Sequence, residues 1–277
     1  MAMVSLGLAG WRIRLDMELP SLAREAMTRY AAFMAPPALP AIFTAHVEVD
    51  RRGADLQATP GAEVALRKAT DAGGQYLVDA PGFRGRIDLA QGLGELTLVS
   101  AVPLADLEHF LRIALALIAF REGGLLVHAA GLAAEGKVHL FIGQSGSGKS
   151  TAVTLSPGAV ALNDDLIILR PCAEVWTAYG TPFWNMEAGH REGQTSSGPL
   201  LGIYKLVQDA KVYLELMSIA SATAELLANC PVINASPSHL PALLPRCRQL
   251  AGAVPVQRLH FRKDGSFWQL LEHRSQA

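Results

Sequence analysis

The amino-acid sequence predicts an α/β fold with an α+β tendency, organised as two units. Three observations lead there. An apolar strand pattern, Val138 to Ile142, runs into the glycine-rich segment Gly143-Gln144-Ser145-Gly146-Ser147-Gly148-Lys149-Ser150-Thr151, and a short helical pattern follows. From Gly10 to Ser100 the pattern is instead mostly short strand candidates separated by Gly, Pro and Asp. Between the two lies an apolar helical stripe that reads as a connector. A smaller β-rich domain over residues 1–103, with one helix, is therefore expected ahead of a larger domain over residues 104–277.

The elements follow in order. Met1 to Trp11 is mildly apolar, has no basic residue ahead of it and runs into Arg12-Ile13-Arg14, so it reads as a strand and not as an export signal. Strands are expected over Trp11 to Leu15, Ile42 to Val49, Gln75 to Val78 and Gly94 to Val99. One helix interrupts them: Leu22, Ala26, Tyr30 and Met34 recur at helical spacing, Ser21 is placed to cap it, and Pro36-Pro37 ends it. Leu107, Leu111, Leu115 and Ile118 form the stripe of a second helix, Leu104 to Arg121, which Gly123-Gly124 terminates. Its apolar stretch, Ala114 to Phe120, is far too short to span a bilayer.

Beyond that helix, strands are expected over Leu125 to Leu132 and Val138 to Ile142, with a turn at Gly136 between them. The glycine-rich loop and a helix stopped by Pro157 come next, then a strand from Ala159 to Leu169. Gly189 to Pro199 has loop composition and reads as a candidate lid. The tail predicts a strand over Ile203 to Val207, a helix over Ile219 to Asn229 and a Pro-broken helical segment near Leu240 to Leu250. Val254 to Phe261 and Ser266 to Leu271, across Lys263-Asp264-Gly265, read as a closing hairpin.

Charge and cysteine content narrow the function classes. Lys and Arg number 24 against 25 for Asp and Glu, a balance that leaves no general electrostatic footprint for nucleic acid or an anionic membrane. Cys172, Cys230 and Cys247 are odd in number and widely spaced, which suits neither a disulfide framework nor a zinc site. A reducing cytoplasm fits, with Cys230 and Cys247 as core residues.

The chemistry sits in the glycine-rich segment, which reads G-x-x-x-x-G-K-S. Its glycines let successive backbone N–H groups turn inward as an anion nest, and the following helix presents its positive end to the same place. Lys149 supplies a mobile point charge for β- and γ-phosphates, and the Ser150 hydroxyl is placed to ligate a magnesium ion bridging them. The segment from Gly143 to Thr151 thus predicts nucleoside triphosphate binding. The next strand contains a second feature, Asn163-Asp164-Asp165 between Leu162 and Leu166. Adjacent carboxylates in an apolar strand repel and are costly to bury unless a cation or phosphate-bound magnesium compensates them.

The spacing of these two features is distinctive. In most nucleotide hydrolases with such a loop, the magnesium-directing aspartate lies at least one βα unit further on. Here the acidic pair arrives directly after the first helix. Together with His128 in the run Leu125-Leu126-Val127-His128-Ala129-Ala130, that arrangement over residues 122 to 185 resembles the HPr serine kinase/phosphorylase family, with its phosphoenolpyruvate-carboxykinase-like core. The resemblance implies a P-loop kinase core on a mixed sheet, ATP and Mg2+ as cofactors, and a protein or peptide hydroxyl as phosphoacceptor, with no nucleic-acid or membrane partner. It also points to self-association. By the same resemblance Asp164 is the base toward the acceptor hydroxyl, Asp165 its partner through metal or water, and His128 the family's histidine beside them. Arg191, after His190 in the candidate lid, is placed to approach the transferred group on closure.

The match is incomplete. Thr151 stands where the family has a glutamate, Gly180-Thr181-Pro182-Phe183-Trp184 fills the next loop, and no Arg-Gly-Leu-Gly-like run follows the aspartates. The resemblance therefore extends to phosphoryl transfer by a divergent kinase, of the sort that accompanies peptide-modification gene clusters, and not to phosphorolysis or to HPr as substrate. From the residues alone, a nucleotide hydrolase or switch in which Asp164 orients water, and a nucleotide-sensing module, stay open beside the kinase.

Overall fold

The computed structural model of the 277-residue chain describes all residues except 37–39, 51–64, 69–73, 157, 174, 184–194 and 276–277. The fold is α/β with two mixed sheets, one in each of two compact units, Met1–Arg121 and Glu122–Ala277.

In the first unit, β1 (Ala2–Leu8) and β2 (Trp11–Met17) form a hairpin whose two turn residues, Ala9 and Gly10, both have positive φ. Helix α1 follows over Pro20–Arg29. It is shorter than expected: Leu19, not Ser21, occupies the N-cap with Pro20 opening the first turn, and after Tyr30 the chain tightens into a 3-10 turn at Ala31–Phe33. Then come β3 (Phe43–Val49), β4 (Ala65–Lys68), β5 (Gln75–Ala80), β6 (Phe83–Asp88), β7 (Leu93–Leu98) and α2 (Pro103–Arg121). The strand order is β1-β2-β3-β7-β6-β5-β4, with β3 parallel to β2 and β7 and the other pairs antiparallel.

Helix α2 belongs to this unit, so the division falls at 121/122 and not at 103/104. The reason is packing. Phe110 lies so close to the sheet that a Cβ on Gly85 of β6 would come within 2.7 Å of its ring. Burial extends from Leu107 and Phe110 through Ile113 to Ala119, nearly around the helix, so the stripe seen in the sequence is only part of its apolar surface. Glu108 of α2 accepts from Arg29 of α1 at 3.0 Å and from Arg112 at 3.0 Å.

In the second unit, β8 (Leu125–Ala134) and β9 (Lys137–Ile142) are joined by the two-residue turn Glu135-Gly136. Helix α3 (Lys149–Thr154), β10 (Val160–Asn163), β11 (Leu166–Cys172), β12 (Val175–Tyr179) and β13 (Ser197–Gln208) follow. The remainder is β14 (Tyr213–Leu216), α4 (Ile219–Ala228), α5 (Leu240–Ala253), β15 (Val256–Phe261) and α6 (Ser266–Ser275). The long strands β8 and β13 change neighbours along their length. Pairing therefore runs in a ring, β8 to β11 to β12 to β13 to β9 and back to β8, while β13 also pairs in parallel with β15.

Three expectations are corrected here. Ser266 to Leu271 is helical, not the second strand of a hairpin: Asp264 Oδ1 accepts the Ser266 N–H at 3.0 Å, which opens the helix, and Phe267, Trp268 and Leu271 then share one buried face. The segment around Pro245 is one helix. Pro245 lies inside it and lacks the N–H that would reach the Pro241 carbonyl, while Leu243, Cys247 and Leu250 on either side of that gap bury one face of the helix. The loop expected over Gly189 to Pro199 becomes strand from Ser197, and residues 189–194 lie outside the described ones. On one face of the sheet, Ala152 and Val153 of α3 and Phe267, Trp268 and Leu271 of α6 pack with Ala130, Leu132, Phe141, Tyr204, Leu206, Leu259 and Phe261. No helix among the described residues is long and apolar enough to cross a membrane.

Candidate functional site

Burial of Val138 to Ile142 pins β9 in the sheet, and the chain leaves its end as the loop Gly143 to Gly148. Gly148 is the N-cap of α3 at φ 107, a conformation that disfavours any side chain, and a Cβ there would lie 2.6 Å from Phe261 Cζ. No side chain caps α3, so its first N–H groups face the loop. A Cβ on Gly143 would strike Ser147 Oγ at 2.6 Å, across the loop's narrow waist. That hydroxyl is buried and has no hydrogen-bond partner among the described residues. Gln144, Ser145 and Gly146 are exposed, as is Ser150, and Thr151 is half-buried. From the end of β13, Gln208 Nε2 donates to the Gly146 carbonyl at 3.0 Å and ties the loop's crest to the sheet.

Lys149 is buried, with its ammonium donating to the carbonyls of Gly143 at 2.7 Å and Gln144 at 3.3 Å. Burial lowers its pKa from the ordinary lysine value, and the charges of Asp165 and then Asp164 oppose that shift. Ala129 of β8 accounts for their proximity: it pairs with Ile142 at the foot of the loop on one side and donates its N–H to the Asp165 carbonyl at 2.9 Å on the other. The acidic turn and the loop's start thus lie two strand spacings apart, roughly 10 Å.

The acidic pair does not ride inside one strand. It forms a turn that splits the expected strand Ala159 to Leu169 into β10 and β11, both antiparallel to β8. The cause is Asn163, whose Oδ1 accepts the N–H groups of Asp165 at 2.7 Å and Leu166 at 3.0 Å, an Asx turn that draws both from a strand ladder. Asp164 is buried and Asp165 half-buried. His128, directly opposite Leu166, brings Nε2 to 3.4 Å from Asp165 Oδ1, an ion pair when the imidazole is protonated. Its backbone N–H donates to the Asn229 carbonyl, at the end of α4, at 2.8 Å.

The fold thus brings together Lys149, Asp164, Asp165 and His128 of the residues expected from sequence, with Gly143 to Thr151 as one loop. Arg191 and His190 lie outside the described residues, as do Trp184 and Pro157. Asn163 and Thr181 were not singled out from sequence. Thr181, fully buried, donates its hydroxyl to the Leu166 carbonyl at 2.7 Å. The available signal was an amide side chain immediately before two carboxylates.

The arrangement fits a nucleotide's phosphates. A buried, unsatisfied Ser147 hydroxyl and an uncapped helix terminus surround the Lys149 ammonium within one loop. No cluster of three or more His, Cys, Asp or Glu able to hold a metal occurs among the described residues.

No family model matches the chain, and no curated protein matches it. Among solved structures, the chain is similar to the Hpr(Ser) kinase/phosphatase from Coxiella burnetii at 13% sequence identity, over 55% of this chain and 97% of that one, with a TM-score of 0.33.

Proposed function

We propose that this chain is an ATP-dependent kinase that transfers the γ-phosphoryl group to a serine or other hydroxyl of a protein or peptide. The observation that carries the reading is the placement of a glycine-rich loop that folds around the Lys149 ammonium and an acidic turn on the two sides of Ala129 in β8. The loop amides and Lys149 would hold the phosphates, with Lys149 exchanging its two carbonyl partners for phosphate oxygens. Ser150 and Asp165 would hold the magnesium ion. Mg-ATP supplies the phosphoryl group and the cation that neutralises its charge.

The remaining work falls to this chain's own side chains. A loose, charge-dispersed transition state needs positioning and electrostatic stabilisation more than covalent chemistry. Asp164 would accept the acceptor hydroxyl's proton and aim its oxygen, and His128 would orient Asp165. Acceptor recognition or self-association is the role we assign to the N-terminal unit, and a reducing cytoplasm, suited to the free thiols of Cys172, Cys230 and Cys247, is the compartment.

The test is transfer of labelled γ-phosphate from Mg-ATP into proteins and peptides of the source organism's lysate. The wild-type chain is expected to label an acceptor. Lys149→Ala and Asp164→Asn should each reduce labelling on the order of 10²-fold or more. Release of free phosphate with no labelled acceptor would replace the kinase with a hydrolase, and nucleotide binding without turnover would replace it with a sensor.

A further inference from the structure

We infer that Asn163 is the positioning residue of this site: it sets the backbone of the acidic turn and so aims both carboxylates. The inference rests on the kinase reading and deepens it. The amide uses all of its hydrogen-bonding capacity on main chain. Oδ1 accepts from the N–H groups of Asp165 and Leu166, while Nδ2 donates to the carbonyls of Thr181 at 2.9 Å and Phe183 at 3.2 Å. At 1% exposure no water competes for these bonds. The Thr181 hydroxyl closes the circuit onto the Leu166 carbonyl, so the residues following β12 and the acidic turn are held as one body.

Chemistry explains why an amide stands there. The position must accept two N–H groups and donate two, within one planar group. Aspartate would accept but not donate, and would add a third negative charge beside Asp164 and Asp165. Serine is too short to reach both sides. A side chain buried for packing alone would have no use for four polar contacts, all made to the main chain of the acidic turn and of the segment after β12. Asn163 itself touches no reacting atom in this scheme. It acts through Asp164 and Asp165, which distinguishes it from a catalytic residue.

The experiment is a double-mutant cycle on the full chain. It uses Mg-ATP labelled at the γ-phosphate, with lysate protein as acceptor, and counts labelled protein plus free phosphate. Affinity for Mg-ADP is read separately with a fluorescent ADP analogue, and folding by thermal unfolding. Asn163→Ala is expected to lower kcat about 10²-fold while the KM for ATP and the ADP affinity stay within about threefold. Placed on Asp164→Asn, it should lower the residual turnover by less than about threefold, because the group it aims is already disabled. Should Asn163→Ala not fold, Thr181→Val, which keeps shape and removes only the hydroxyl, is expected to show the same split with a smaller loss.

Turnover of Asn163→Ala within about threefold of wild type, with Asp164→Asn inactive, would overturn this inference and leave the kinase reading standing. So would a full, additive loss in the double variant, or a parallel fall in ADP affinity, since either marks a general structural role. Absence of any turnover in the wild-type chain would overturn both together.

Discussion

His139 sits in β9, the strand that leads into the glycine-rich loop, and protonating it should weaken the fold by an amount that can be worked out. The ring is 1% exposed, stacked on Tyr204 at 5.8 Å between centroids and edge-on to Trp268 at 5.3 Å. Burial first, and the nearby Lys137 charge second, hold its pKa down from 6.5 to about 4. The unfolded chain therefore takes up a proton between those values that the folded chain refuses. Stability is fully present above the unfolded pKa and is lost as pH falls toward the folded one. Integrating the proton difference from about pH 7.5 to about pH 5 gives a loss of about 2 kcal/mol, a substantial share of the ~5–15 kcal/mol typical of a domain. His139→Phe keeps an aromatic ring between Tyr204 and Trp268 and removes the proton site. Urea unfolding of both proteins at the two pH values, followed by circular dichroism, isolates the effect because other titrating groups are common to both. The wild-type chain should lose about 2 kcal/mol more than the variant on acidification. Equal losses would refute the reasoning, and would mean that the imidazole is charged or hydrated in the folded protein.

Two further substitutions address the loop and the C-terminal helix. Gly148→Ala forces a side chain into positive φ and against Phe261, and should cost about 2–4 kcal/mol in urea unfolding while also weakening binding of a fluorescent ADP analogue. Phe267→Ala removes a fully buried ring that meets Phe141, Phe261 and Trp268, and should cost about 3–5 kcal/mol by the same measurement.

Much of the site was legible because its chemistry is local in sequence. The Gly143 to Thr151 loop is contiguous, and its strand and helix flank it directly, so motif and context could be read together. The acidic pair was legible as an anomaly, two charges in an apolar run. Its form was not. Whether Asp164 and Asp165 continue a strand or break it depends on carbonyls from Thr181 and Phe183, about 20 residues away, that complete the bonding of Asn163. The helix that stands in place of the expected closing hairpin has a related cause. Ser266 to Leu271 has apolar residues that fit either a strand or a helix over so short a run, and the Asp264 cap decides between them.

Sequence alone therefore determined the α/β class, the glycine-rich loop between β9 and α3, most strands of the second unit and the identity of the charged groups, because periodicity and glycine placement act over a few neighbouring residues. Tertiary structure decided what depends on distant partners. It assigned α2 to the first unit through Phe110 packing against the sheet, curled the second sheet into a ring as β8 and β13 changed neighbours, and split the acidic strand at Asn163. It also set His128 beside Asp165 and the acidic turn across β8 from the start of the loop. Strand register sets which side chains meet across β8. Register is fixed by the burial of whole sheet faces, not by the residues that meet.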